Sequence, residues 1–227
     1  GIVEPLIDSA PPTTGAYRTA AQAASAQVLL AKGLKVEYLT RSAANAVDMF
    51  SFWPSDAAPT HLIACIDGGR SQLAGDADTS AYAPGDKFNP SVQRIDLATG
   101  AVETILRGMT ACDGIRTTPW GTVLATEETD DGGAYEILDP LAITNHTIKD
   151  RATGEIVDAA GATVTTAIAK RTALPTIAWE GLDITHDGVV YAGDEERPGT
   201  TADGGGSTND RDGGAIFKFV PSAAGTG

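Results

Sequence analysis

The sequence predicts an all-β protein, and three observations support this fold class. Short runs of β-branched and apolar residues recur from Leu34 onward, and turn residues bound each run. Segments such as QRIDLATGAVETIL and GLDITHDGVVYAGD have the pattern of strand–turn–strand hairpins. No long stretch of helical periodicity separates the runs, which argues against an alternating α/β fold.

Ten segments of the chain have the strand pattern. They are Leu34–Leu39, Thr60–Ile66, Val92–Asp96, Val102–Arg107, Thr122–Ala125, Ala134–Leu138, Thr163–Ala169, Gly181–Ile184, Val189–Ala192 and Ala215–Val220. The pieces RIDLATGAVETI, AYEILDPLAI and IFKFVP form a loose repeat that is typical of the outer strands of propeller blades. This pattern alone leaves a β-propeller and a β-sandwich open.

The first 33 residues differ from the rest and are predicted to form an N-terminal arm. Prolines mark an extended start, and the alanine-rich segment Thr19–Lys32 favours a short helix that ends at Gly33. The expected organisation is therefore an arm over residues 1–33 and a β-domain over residues 34–227.

Composition restricts the classes of partner. The 227 residues include 16 Lys+Arg and 30 Asp+Glu, so the formal net charge is −14. Such a chain is a poor ligand for a nucleic-acid backbone, because that interaction depends on basic side chains that neutralise phosphates. The longest apolar stretch, Val28 to Val36, contains two lysines and a glycine, and no transmembrane segment is predicted.

Three acidic clusters are candidate metal ligands. Glu127 and Glu128 end a predicted strand, Glu180 opens another, and Asp194 to Glu196 follow a third. Carboxylate oxygens suit Ca²⁺ or Mg²⁺, and a thiolate from Cys112 added to them suits iron. The alternative for each cluster is a solvated surface without a metal. For Cys112 and Cys65 the expectation is a buried free thiol, although the two cysteines could also pair.

A glycine-rich loop between Asp203 and Asp212 has the composition of a calcium loop without its spacing. A flexible polar connection is the favoured interpretation of this loop. The sequence contains no nucleophile elbow, Walker loop or dinucleotide fingerprint, so the catalytic residues are not identified.

The order of Cys112, then TPWGT at Thr118–Thr122, then Glu127-Glu128 resembles the signature of the PhoX-type alkaline phosphatase family and its related secreted β-propeller proteins. GDEER at Gly193–Arg197, followed by GAIFKFVP at Gly214–Pro221, is similar to the next motif of that family. Two departures are Asp113-Gly114 in place of a glycine pair, and Ala125 in place of a cysteine.

The resemblance implies a six-bladed β-propeller that is exported to the periplasm or the cell exterior. It implies calcium and iron as cofactors, with a set of metal ligands made of Cys112, Glu127, Glu128, Glu180, Glu195 and Glu196. The implied activity is hydrolysis of phosphate monoesters.

The 227 residues correspond to about three blades, which is half of the propeller in that family. The remaining half is therefore expected in a longer polypeptide or in a partner chain. The alternative function is a non-catalytic propeller scaffold, or an accessory subunit of a larger extracytoplasmic assembly. A third possibility, a lactonase-like calcium propeller, would not use Cys112 as a ligand.

Overall fold

The computed structural model describes residues 22–26, 28, 30–71, 88–195 and 214–222. The chain divides into two units, Gly1–Arg41 and Ser42–Gly227. In the first unit the described residues contain a single 3₁₀ turn at Ala24–Ala26. The helix predicted over Thr19–Lys32 is thus reduced, among its described residues, to this turn, and Leu34–Leu39 forms no strand. Alanine-rich composition favours a helix, but a stretch of this length is marginal without an apolar face packed on a partner.

The second unit is built from β-strands, which confirms the all-β prediction. Their bounds are β1 Val47–Trp53, β2 His61–Ile66, β3 Pro90–Asp96, β4 Val102–Arg107, β5 Cys112–Thr117, β6 Val123–Glu127, β7 Ala134–Ile137, β8 His146–Asp150, β9 Glu155–Val157, β10 Thr163–Val164, β11 Ile168–Lys170, β12 Trp179–Ile184, β13 Val190–Asp194 and β14 Ile216–Phe219. Within the described part of the chain, no helix is long and apolar enough to cross a membrane.

The strands form three sheets, and the first two interleave along the chain, because β8, β9 and β10 extend the first sheet while β11 returns to the second. The first sheet has the order β1-β2-β3-β4-β8-β9-β10, the second β11-β7-β6-β5, and the third β12-β13-β14. Neighbouring strands are antiparallel except for β4 and β8, which are parallel. The first strand of each segment, β1, β5 or β12, lies at one end of its sheet, and β5 contacts both β1 and β12.

Two apolar cores hold the sheets together. On β6, Val123 and Ala125 belong to a core shared with the first sheet, whereas Leu124 belongs to a core shared with the third sheet. Trp179 fills the second core and is fully buried. The second sheet is therefore covered on both faces, which explains why all five residues of β6 are buried rather than every second one.

A disulfide joins Cys65 on β2 to Cys112 on β5 and so links the first two sheets. Both side chains are fully buried. The expectation of free thiols is therefore wrong. Spacing could not decide the pairing, because it depends on the contact between two sheets.

We expect the double variant Cys65→Ala/Cys112→Ala to lower the free energy of unfolding by about 2–5 kcal/mol, because the disulfide restricts the unfolded chain. Urea unfolding of the oxidised protein and of the variant measures this difference. Reductant should lower the free energy of unfolding of the natural protein to about that of the variant, and it should not change the value for the variant. Coincident unfolding curves for the oxidised protein and the variant would contradict the expectation.

Candidate metal centre

Three carboxylates converge where β5 and β12 meet. They belong to Asp113, Glu128 and Glu180, and one ligand oxygen from each lies within 4.8 Å of the others. Asp113 is buried, Glu128 is half-buried and Glu180 is exposed. No ion pair in the described part of the chain involves any of the three. The group therefore concentrates negative charge beside buried apolar packing.

A β-bulge presents Asp113 to this group. Cys112 pairs with Glu127 and Ile115 pairs with Ala125, so Asp113 and Gly114 together face one residue of β6. A bulge re-aims side chains and is common beside functional sites. A Cβ at Gly114 would lie 2.6 Å from Thr126 Oγ1 and 3.0 Å from Leu182 Cβ, so this bulge position requires glycine.

Glu180 is presented by a second bulge of the same form. Trp179 pairs with Asp194 and Leu182 with Ala192, so Glu180 and Gly181 together face one residue of β13. Glu128 directly follows β6, and its backbone forms an isolated bridge with Ala178. Backbone pairing therefore fixes the places on the backbone from which all three acidic side chains extend.

One oxygen of the Asp113 carboxylate has no hydrogen-bond partner although the residue is 3% exposed. Buried polar atoms are almost always hydrogen-bonded, since an unsatisfied one costs about 1–3 kcal/mol. Burial, together with the charges of Asp48, Glu180 and Asp67, raises the pKa of Asp113 to about 7. A buried carboxylate with one oxygen unsatisfied, in a group of acids, makes this place a candidate site for a cation.

The pKa of Glu128 is raised to about 8. The causes are, in order, a side-chain hydrogen bond with Glu195, burial, and the negative charges of Glu195, Glu180 and Asp113. Glu195 thus lies beside the trio. Carboxylates that raise one another's pKa in this way gain most from a cation that would compensate their charges.

Glu127 faces away from this group and is fully paired. Its buried carboxylate accepts hydrogen bonds from the backbone N–H groups of Thr110 (2.9 Å) and Gly133 (3.0 Å). The Arg151 guanidinium donates to both oxygens, at 2.7 and 3.2 Å, and also binds Asp131. Both carboxylate oxygens of Glu127 are thus occupied by hydrogen bonds, and neither is left to bind a metal.

Cys112 lies next to Asp113, but its sulfur is bonded to Cys65. It offers no thiolate in this structure. Of the remaining predicted ligands, the structure brings Glu128, Glu180 and Glu195 together. Glu196 and the loop from Asp203 to Asp212 lie outside the described residues.

Sequence reasoning missed Asp113, the most buried member of the trio. The signal lies in the step Asp113-Gly114, where an acidic residue directly precedes a glycine that allows a bulge. The same acid–glycine step recurs at Glu180-Gly181, and two such steps at the starts of strands mark the site.

An apolar cleft lies elsewhere, between the second and third sheets. Its walls include Trp120, Leu174 and Phe219, and none of the acidic trio lines it. The two charged side chains in its wall, Glu136 and Arg171, pair with each other, and Glu136 also accepts a hydrogen bond from Trp120 Nε1. The acidic trio, rather than this cleft, is therefore the candidate centre. No family model, no curated protein and no solved structure matches this chain.

Proposed function

We propose that this protein binds a hard divalent cation, best fitted by Ca²⁺, through Asp113, Glu128 and Glu180, and hydrolyses phosphate esters with that cation. The observation that carries the proposal is the buried Asp113 carboxylate, one oxygen of which has no hydrogen-bond partner, within the acidic trio. The choice of phosphate esters rests on the resemblance of Thr118–Thr122 and the following acids to the PhoX-type signature.

The donor set suits calcium. Ca²⁺ binds oxygen ligands at about 2.3–2.6 Å, so two ligands of one ion are separated by up to about twice that length. The three carboxylate oxygens lie within 4.8 Å of one another, close enough for one such ion to contact all three. Mg²⁺ needs shorter bonds and a stricter geometry. An iron site that uses Cys112 does not fit, because the disulfide removes the thiolate.

When bound, the cation would act as a Lewis acid that polarises a phosphoryl oxygen. The chain's own residues would perform the remaining tasks. Asp113 would hold the ion from the buried side, and Glu128 and Glu180 would complete the chelate. Glu195 shares a hydrogen bond with Glu128 and would help to orient that carboxylate towards the ion.

The propeller architecture and export are part of this proposal. Three sheets, each with its first strand in chain order at one end, support a propeller of which this chain supplies about three blades. The buried disulfide supports a periplasmic or extracellular location, since disulfides persist in oxidising compartments.

A second candidate function is a scaffold in which the cation is structural. The trio draws on two sheets, with Asp113 and Glu128 from the second and Glu180 from the third. A cation bound to all three would fasten the sheets together without catalysis.

Thermal unfolding and phosphatase assays with added Ca²⁺ separate these candidates. Saturation at 100 Kd should stabilise the fold by about 2.7 kcal/mol, since the ion binds only the folded chain. We expect Asp113→Asn to lose this stabilisation, and the exposed Asp56→Asn, at the far end of β1, to retain it.

In the same experiment, calcium-dependent hydrolysis of p-nitrophenyl phosphate that falls about 10- to 100-fold in Asp113→Asn would support the enzyme. Stabilisation by Ca²⁺ without hydrolysis would contradict the enzyme and support the scaffold as the function. A protein that Ca²⁺ does not stabilise would overturn both candidates.

A further inference from the structure

The third sheet has an open edge at β14. This strand pairs with β13 on one side and is the last strand of its sheet among the described residues. Ile216 in the strand is 83% exposed, and Val220, directly after it, is 62% exposed. Large apolar side chains along an unpaired sheet edge mark a surface on which another strand can pair.

β14 is the equivalent of β7 in the second sheet. Val123 of β6 pairs with the last residue of β5, and Val190 of β13 pairs in the same way with the last residue of β12. On the other side, Val123 pairs with Ile137, and Val190 pairs with Phe219. The equivalent residues of β7 and β14 are therefore Ala134 and Ile216, Tyr135 and Phe217, Glu136 and Lys218, and Ile137 and Phe219.

The two strands differ in what lies on their outer side. β7 is paired there with β11, and all four of its residues are buried, whereas three of the four residues of β14 are exposed. The carbonyl of Ala134 and the N–H of Leu138 form backbone hydrogen bonds with the β11 segment, at 2.8 and 3.0 Å. By the alternation of an antiparallel ladder, the carbonyl of Ile216 and the N–H of Val220 lie on the open side of β14. β14 thus offers the backbone groups that β7 uses to hold a fourth strand.

The apolar cleft between the second and third sheets extends to β14. Phe219 and Pro221 line it together with Leu174, which follows β11. In an added strand, the residue opposite Phe219 would have its side chain on the same face, about 4.5–5.5 Å away. That face is turned towards the second sheet, because Phe219 packs on the core that the two sheets share. An apolar side chain opposite Phe219 would therefore lie at the cleft, as Ile168 opposite Ile137 lies in the neighbouring core.

Charge gives a second requirement for the added strand. In the second sheet, Glu136 binds Arg171, which lies three residues after Ile168. The position of Glu136 is occupied in β14 by Lys218, so the sign of the charge is inverted. Within the described residues the Lys218 ammonium forms no ion pair and lies 5.9 Å from the centre of the Tyr191 ring. An acidic residue at the place of Arg171 would compensate this charge.

We propose that β14 binds an extended segment of a partner polypeptide, which adds to the third sheet as an antiparallel fourth strand. The segment carries an apolar residue opposite Phe219 and an acidic residue three positions later, beside Lys218. A second copy of this chain that paired through its own β14 would offer another lysine in place of the acid. The inference is independent of the cation site, since none of the acidic trio lies on β14.

Two synthetic peptides test the inference. The probe has the sequence of residues 166–172 with Arg171→Glu, and the control peptide keeps the natural sequence. We expect the probe to slow amide hydrogen exchange at Ile216 and Lys218. We also expect it to bind about two- to fivefold more tightly than the control peptide, which is the range of an exposed ion pair. In the Lys218→Glu protein the preference should reverse in favour of the control peptide.

A pair of variants at Val220 tests the backbone contact. Val220→Pro removes an N–H donor on the open side of β14, and we expect the folded variant to lose peptide binding. Val220→Ala keeps the donor and should bind the probe like the natural protein. Circular dichroism checks that each variant is folded.

Protection of β14 by the probe, with a preference that reverses in Lys218→Glu, supports the inference. Absence of protection by either peptide overturns it. Equal binding of both peptides to both proteins, or binding by folded Val220→Pro, overturns it as well, because the peptide would then lie elsewhere. Concentration-dependent dimers that protect β14 without peptide would also overturn it, since the occupant of the edge would be a second copy of this chain.

Discussion

Glu127→Gln should lower the free energy of unfolding by up to about 3–5 kcal/mol, because it breaks a buried ion pair and leaves Arg151 with the exposed Asp131 as its carboxylate partner. The Glu127 side chain is 1% exposed and that of Arg151 is 20% exposed. Glutamine keeps the volume of the side chain but places an N–H₂ group where a carboxylate oxygen accepts from backbone N–H donors. Urea unfolding of the calcium-free protein measures the loss.

Glu128→Gln is the matched control one residue away. In the calcium-free protein it removes a charge that other carboxylates repel, so the free energy of unfolding should stay the same or rise. The same substitution should weaken calcium binding. Equal destabilisation by the two variants would contradict the assignment of Glu127 to the fold and Glu128 to the site.

The coupling of Glu127 with Arg151 can be tested separately. In a double-mutant cycle with Arg151→Gln, the two losses should not add, because either substitution already breaks the pair. Additive losses would show that Glu127 acts through its backbone donors alone.

The sequence predicted most strands of this fold, and the strands that it missed are ones whose pairing is irregular. Val102–Arg107 matches the observed β4 in full, and most other predicted strands overlap observed ones. β1, β5, β8 and β9 were not predicted, and the predicted start of β12 fell after Glu180. Each of these strands pairs with a neighbour through a register shift, and an extra residue breaks the alternation on which strand prediction depends.

The site was predicted in part for the same reason. Glu128 and Glu180 could be found because acids at strand ends are visible in the sequence. Glu127 could not be separated from Glu128, because the difference lies in Arg151, which is distant in the chain and reaches only the first of them. Asp113 could not be identified as buried without the position of β12 against β5.

The last prediction concerns the opposite effects of pH on the calcium-free and calcium-bound protein between pH 6 and pH 9. In the folded chain the pKa values of Asp113 and Glu128 are raised to about 7 and about 8. A carboxyl group whose pKa is higher in the folded than in the unfolded state stabilises the fold while it is protonated. That contribution is lost as pH rises through the folded-state pKa.

In EGTA, therefore, the Tm should fall from pH 6 to pH 9. With saturating Ca²⁺ it should not fall in this way, because the ion binds the deprotonated carboxylates and its binding releases protons. The stabilisation by Ca²⁺ should thus grow across the same range. Carboxylates whose pKa is lowered, such as Glu103 and Glu136, lose their contribution only below the window and do not disturb it.

Asp113→Asn is the control for this comparison, since the amide does not titrate. The variant should show a smaller fall in EGTA and little response to Ca²⁺ at either pH. A calcium-free natural protein that gains stability from pH 6 to pH 9 would contradict the raised pKa values. A calcium effect that is independent of pH would mean that the ion binds away from these two carboxylates, because only ligands that lose protons in this window link binding to pH.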